Sequence, residues 1–182
     1  MSPQSVQGFG SPVPGFTLPG VRGGEQELSA LMQGRKGAVV IFWSGVCSHC
    51  VRYDGYLNQF QSRQSDLALV VVASRQGETR DQIRKTMDER GIQFSILHDA
   101  DSSIARQWNT QTTPRAFLVD AGQKLLYRGA IDNFKYPEDP EYVAYLDPAI
   151  TDFLADRPIG RNETSGFGCA IQSVYYILPR HL

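Results

Sequence analysis

An α/β sandwich with a mixed central sheet, flanked by helices, is the fold class this sequence predicts, and three observations predict it. Two runs, Ala38–Trp43 and Leu67–Ala73, are continuously apolar and rich in β-branched residues, as strands buried on both faces are. A segment with apolar residues at helical spacing follows each of them. Two further apolar runs in the second half are joined by Ala121-Gly122, which reads as an antiparallel hairpin.

Taken in order, Ser11 to Gly24 is rich in Gly and Pro and reads as loop with short extended pieces. Glu25 to Gln33 predicts a brief helix closed by Gly34. After the first buried strand, Tyr53, Tyr56, Leu57 and Phe60 mark a helix over Cys50 to Gln64, which the segment containing Cys47 opens. After the second strand, Ile83 and Met87 lie four apart in Glu78 to Arg90, and Gly91 ends that helix. Arg80, Arg84, Lys85 and Arg90 read as its solvated face. Phe94 to Leu97 is a short strand, and Ser102 to Trp108 a short helix capped by Asp101 or Ser102. His98 reads as a strand-end residue and Trp108 as core. Arg115–Asp120 and Lys124–Arg128 form the hairpin, and the acidic, Pro-rich stretch Asp132 to Pro140 is an irregular insertion. Leu146, Ile150 and Leu154 predict a last helix over Val143 to Ala155 despite Pro148. The organisation is a single domain over 1–182, with a core of about 12–156, an N-terminal extension and a C-terminal tail, 157–182, in which Val174 to Leu178 looks strand-like.

With 41% apolar residues the 182-residue chain has material for one sizeable core and is not a disordered segment. Its 18 basic and 19 acidic residues leave a net charge of −1, so nucleic acid is not an expected partner. No stretch nears the roughly 18 uninterrupted apolar residues of a membrane span. Met1 to Gly10 has neither a basic start nor an apolar core, so no export signal is read there. The compartment stays open, since a trimmed mature form would show no signal either. Three cysteines are too few for a disulfide-stapled scaffold, and the odd count leaves at least one outside an intramolecular pair.

Chemistry concentrates at Cys47-Ser48-His49-Cys50, where a buried strand turns into a helix. Two intervening residues at a helix start bring the sulfurs within disulfide reach, and the helix N-terminus favours thiolate. Cys47, nearer the open end, is the expected nucleophile, and Cys50, one turn in, the buried resolver. His49 adds positive charge beside the thiolate. The rivals are half of a zinc site, which would need ligands from Cys169, His49, His98 and His181, and a purely structural disulfide. With no second Cys-x-x-Cys or close Cys/His pair, no resident metal is expected, and the only redox group implied is the Cys47–Cys50 disulfide itself.

Phe42-Trp43-Ser44-Gly45-Val46-Cys47-Ser48-His49-Cys50 resembles the Phe-Trp-Ala-x-x-Cys-x-x-Cys segment of thioredoxin-fold oxidoreductases. Thr112-Thr113-Pro114 followed by Arg115–Asp120 resembles that fold's cis-proline loop and next strand. The resemblance implies that Pro114 is cis and that Thr113 meets the partner. A plain turn proline is the rival reading. Over most of the chain, Pro14–Leu18, Tyr127–Asn133, the Pro-rich insertion, the helix near Asp147 and Thr164–Ile171 are similar to the bacterial peroxiredoxin-like (AhpC/TSA-related) redoxins. These imply a thiol–disulfide oxidoreductase acting on protein thiols or disulfides across a groove lined by Trp43, Val46, Thr113 and Pro114. They imply nothing about oligomeric state.

Departures from the pattern shape the reading. Ile41 stands where thioredoxins carry a buried Asp, leaving Glu25 or another carboxylate to assist proton transfer. Ser48-His49 replaces the usual Gly-Pro, which argues against a strongly reducing potential. In the peroxidase pattern Pro-x-x-x-Thr/Ser-x-x-Cys, Ser44 and Cys47 fit but Val40 holds the proline position, and Arg115 lies one residue late, on the other face of a strand. A thiol peroxidase is therefore the runner-up. A Cu(I) carrier using Cys47, Cys50 and a His is a further rival. Cys169, between Gly168 and Ala170, is either a small buried apolar residue or a third redox thiol brought back by the tail.

Overall fold

The computed structural model describes residue 6 and residues 8–172, so Val174 to Leu178 and His181 lie outside the described residues. Two short strands, β1 (Thr17–Pro19) and β2 (Glu25–Glu27), pair antiparallel and lead into a one-turn helix, α1 (Leu28–Leu31). The helix expected from Glu25 thus begins three residues late, because Glu25–Glu27 finds its backbone partners in β1. Strand β3 (Gly37–Trp43) follows, then α2 (Ser48–Val51), α3 (Asp54–Arg63), β4 (Leu67–Ala73) and α4 (Arg80–Arg90). Next come β5 (Ile96–His98), α5 (Ser103–Gln107), β6 (Thr112–Thr113), β7 (Arg115–Asp120), β8 (Leu125–Gly129), α6 (Leu146–Leu154) and β9 (Cys169–Ala170).

The main sheet has the order β5-β4-β3-β7-β8. Strands β3, β4 and β5 are parallel, whereas β7 runs antiparallel to β3 and β8 to β7. All seven residues of β3 are buried because helices cover both of its faces. Alternation along the strand divides them. Val39, Ile41 and Trp43 pack with residues of α3, α4 and α6, among them Leu57, Phe60, Ile83, Met87 and Ile150. Ala38, Val40 and Phe42 pack on the other side with Leu28, Ile104, Trp108 and the N-terminal Val13 and Phe16. Trp108 is core, ringed by Phe16, Phe42 and Phe117, and its indole N–H donates to the Pro14 carbonyl at 3.1 Å.

Local endings follow the residue chemistry. Thr79 and Gln82 form a reciprocal capping box at the start of α4, and Gly91 closes it with φ +63. At α5 Asp101 caps as expected, whereas Ser102 makes no side-chain cap and its hydroxyl donates to the Ser74 carbonyl. Asp101 Oδ1 accepts from the Ser103 N–H, but the Asp99 carboxylate takes those of Ile104 and Ala105 at 3.2 and 3.0 Å. Helix α6 starts at Leu146 because residues 143–144 are drawn into extended pairing, Asn133 N–H to Val143 O and Asp132 opposite Ala144. Pro148 then falls in its first turn, where no intrahelical N–H is missed.

Candidate active site

The expected helix over Cys50 to Gln64 is two helices, broken at Arg52 and Tyr53. Both junction residues are tied to the insertion that follows β8. The Arg52 guanidinium donates to the Phe134 and Lys135 carbonyls at 2.5 Å each, and Tyr53 O–H donates to Asp132 Oδ1 at 2.6 Å. Helix α2 is therefore a single turn with Cys47 as its N-cap residue.

The loop from β3 to Cys47 is held from both sides. Gly45 N–H donates to Glu78 Oε1 at 2.7 Å, and Gly45 O accepts from Arg90 Nη1 at 2.9 Å. A side chain at Gly45 would place its Cβ 2.7 Å from that carboxylate oxygen. Glu78 is 7% exposed, and burial raises its pKa against the opposing bonds from Ser44 and Gly45. Arg90 also makes a two-pronged ion pair with Asp54, at 2.7 and 2.6 Å, and lies over the Trp43 ring. The solvated helix face read from the sequence therefore excludes Arg90. Sequence reading passed over Glu78 and Arg90 because each sits in a charged run, and only the return of α4 against the β3 loop buries them.

Within this frame Cys47, Cys50 and Cys169 all stand as free thiols. Cys47 has no exposed surface, and its pKa is lowered to about 4. Hydrogen bonding from Cys50 is the main cause; burial opposes it, and Cys169 and the Thr113 side chain add to it. Burial and the neighbouring Cys47 push Cys50 above the ordinary thiol range. The sequence expectation of a low-pKa thiol beside a buried protonated one thus has a local origin. A one-turn helix supplies little dipole, and the neighbouring thiols do most of the stabilising. His49 sets its ring edge-on to Phe167 and Phe134, with centroids 5.0 and 6.0 Å apart.

The Thr113–Pro114 bond is cis. Thr113 and Pro114 adjoin the cysteines, and the Thr113 carbonyl lies 3.2 Å from Cys47 Sγ. The open groove expected from the sequence is absent, however. Trp43 is wholly buried against Phe94, because its position in β3 points it at the α4 face rather than at the surface. Thr113 and Pro114 are buried beneath the tail, whose strand β9 pairs Cys169 with Thr113 and Ala170 with Thr112. Only Val46, 62% exposed, faces solvent. The tail also brings Cys169 Sγ to 2.6 Å from Cys47 Sγ. His98 ends β5 and contacts the Glu78 carbonyl at 2.9 Å, and Glu25 lies in β2. Among the described residues no group of three or more His, Cys, Asp or Glu side chains is arranged to hold a metal ion, and no helix is long and apolar enough to cross a membrane.

A mixed five-stranded sheet with helices on both faces, a Cys-x-x-Cys at the end of its central strand and a cis-proline loop beside it define a thioredoxin-like redoxin. The chain belongs to the AhpC/TSA family, whose pattern matches residues 9–128. Over 118 residues it is 28% identical to the thiol-disulfide oxidoreductase ResA of Bacillus subtilis (strain 168), covering 64% of this chain and 64% of that protein's length. The crystal structure of a hypothetical protein from Sinorhizobium meliloti 1021 superposes with a TM-score of 0.79 at 25% identity, covering 92% of this chain and 95% of that one. The crystal structure of peroxidoxin BcpB from Mycobacterium tuberculosis gives a TM-score of 0.63 at 18% identity over 82% of this chain and 97% of that one, a likeness of fold alone.

Proposed function

We propose that this protein is a thiol–disulfide oxidoreductase that exchanges disulfides with protein partners through Cys47 and Cys50. The observation that carries the reading is the placement of Cys47 and Cys50 on one turn at the end of the central strand β3, beside the cis Thr113–Pro114 bond, with Cys50 fully buried. The Cys47 thiolate attacks one sulfur of a partner disulfide, forming a mixed disulfide and releasing the other sulfur as a thiol. Cys50 then gives up its proton and attacks Cys47, forming the Cys47–Cys50 bond and releasing the second partner thiol. The partner gains two electrons and two protons; the pair supplies both electrons and the Cys50 proton, and water supplies the second proton. The internal disulfide is the only redox group this route uses. Val46 and Phe167, 62% and 56% exposed, supply apolar surface beside the cysteines for a protein partner. The name of the matched Bacillus relative supports the same reaction class.

Cys47→Ser should abolish exchange with a disulfide-bonded protein substrate, whereas Cys50→Ser should accumulate the mixed disulfide, read by mass after alkylation. Exchange that persists in Cys47→Ser would sink the reading. Family membership favours thiol peroxidase activity as the second reading. Peroxide turnover that survives Cys50→Ser would put it first.

A further inference from the structure

From Cys169 to Ile171 the tail is bonded over the site at every residue. Beyond the β6–β9 pairing, Ile171 N–H donates to the Gln111 carbonyl and Gln76 N–H to the Ile171 carbonyl, both at 2.9 Å. Arg75 Nη1 donates to the Ala170 carbonyl at 3.0 Å, and the Ile171 side chain joins the core. On the other side of Cys169, Phe167 packs edge-on to His49 and Phe134. Gly168, at φ +150, lies so close to β6 that a Cβ there would collide with the Thr113 carbonyl and come within 3.2 Å of Pro114 N. A short extended peptide has thus added itself to a strand edge, the way sheet edges take up peptides, with its cysteine in register opposite Thr113 and its sulfur against Cys47. A cysteine acting only as small apolar filler has no need of a sulfur 2.6 Å from a second sulfur, and Cys169 is only partly buried.

We propose that Cys169 is a third exchanging thiol, carried by a tail strand that occupies the seat where a partner's cysteine meets Cys47. The proposal deepens the exchange reading above and rests on it. After a partner disulfide has oxidised the Cys47–Cys50 pair, Cys169 attacks Cys47 Sγ. The Cys47–Cys169 bond forms, the Cys47–Cys50 bond breaks, and the proton lost by Cys169 ends on Cys50. One disulfide is consumed and one made, so this step requires no further oxidant. The oxidised protein then rests closed, with the tail covalently held, until an incoming partner thiolate attacks the bond. Cys50 and Cys169 compete for the same Cys47 sulfur, one from beneath and one from the tail.

The test is disulfide mapping of the full chain equilibrated in glutathione/glutathione disulfide buffers, then alkylated and digested with trypsin without reduction. Cys47 and Cys50 share the fragment 37–52, and Cys169 lies on 162–180, so an internal loop and a tail bond differ in mass. The oxidised protein should yield the crosslinked pair of fragments with Cys50 alkylated, and Cys50→Ser should yield it as its sole internal bond. Gly168→Ala, which wedges the tail away, should return the product to the loop within 37–52 and speed alkylation of reduced Cys47 by about tenfold. If the wild type holds only the loop and Cys50→Ser gives no crosslink, the proposal is overturned while exchange through Cys47 and Cys50 stands. If no disulfide forms at any glutathione ratio, the exchange reading itself falls and takes the proposal with it.

Discussion

Cys47 and Cys50 belong to one turn of chain, yet their thiols are pushed in opposite directions, Cys47 down to about 4 and Cys50 above the ordinary range. Both are buried, so desolvation acts against ionisation in each. Cys47 escapes because neighbouring groups, first Cys50 and then Cys169 and Thr113, favour its charged form. Ultraviolet thiolate absorbance should therefore titrate with a midpoint near 4 in the reduced protein. Cys50→Ala should move that midpoint up by more than Cys169→Ala does, since Cys50 is the largest contributor. A midpoint unchanged by either substitution would show that neighbouring thiols do not set it. Much of this was legible in the sequence, because a Cys-x-x-Cys after a buried strand fixes which cysteine opens the helix and which lies within it. The part assigned to His49 was not legible, since only the fold sets its ring against Phe134 and Phe167.

At the scale of elements, the β3–α2 loop depends on α4 and the residues just before it, with Glu78 lying 33 residues beyond Gly45. Glu78 before that helix and Arg90 at its end grip opposite sides of the Gly45 peptide. Gly45→Ala forces a Cβ against Glu78 Oε1 and within 3.2 Å of Thr86, and should destabilise the fold by about 1–3 kcal/mol, measured by urea unfolding. Arg90→Ala leaves Asp54, 13% exposed, without its ion-pair partner. A loss of about 3 kcal/mol is expected, read as a lowered thermal midpoint. The main-sheet strands and α4 were legible because period and caps are local properties, whereas β2, expected as helix, was not. The break at Arg52 and the late start of α6 were not, because both are imposed by the 132–144 segment.

For the whole molecule, the thiol shifts make stability depend on pH. The Cys47 thiol ionises at 9.0 ordinarily and at about 4 in the fold, so the unfolded chain binds more protons across that window. Stability should rise with pH from about 4 toward 9 and be lost as pH falls through 4, with a slope of up to about 1.4 kcal/mol per pH unit for one proton. Cys50, shifted upward, contributes in the opposite sense, its stabilisation fading as pH rises past 9.0. Unfolding midpoints of the wild type and Cys47→Ser, compared from pH 5 to 8, should diverge steadily. Parallel curves would show that Cys47 keeps an ordinary pKa. The sequence by itself determined the sheet strands, the helix that ends at Gly91 and the Cys-x-x-Cys at a strand's end, because alternation, capping and spacing act over a few residues. It also carried the proline now seen to be cis. Tertiary structure alone decided that Trp43 turns inward, that Glu78 and Arg90 brace the active loop, and that the tail covers Cys47 with Cys169. Those juxtapositions join residues 33 to 122 positions apart, and such contacts are set by packing and strand pairing rather than by any local pattern.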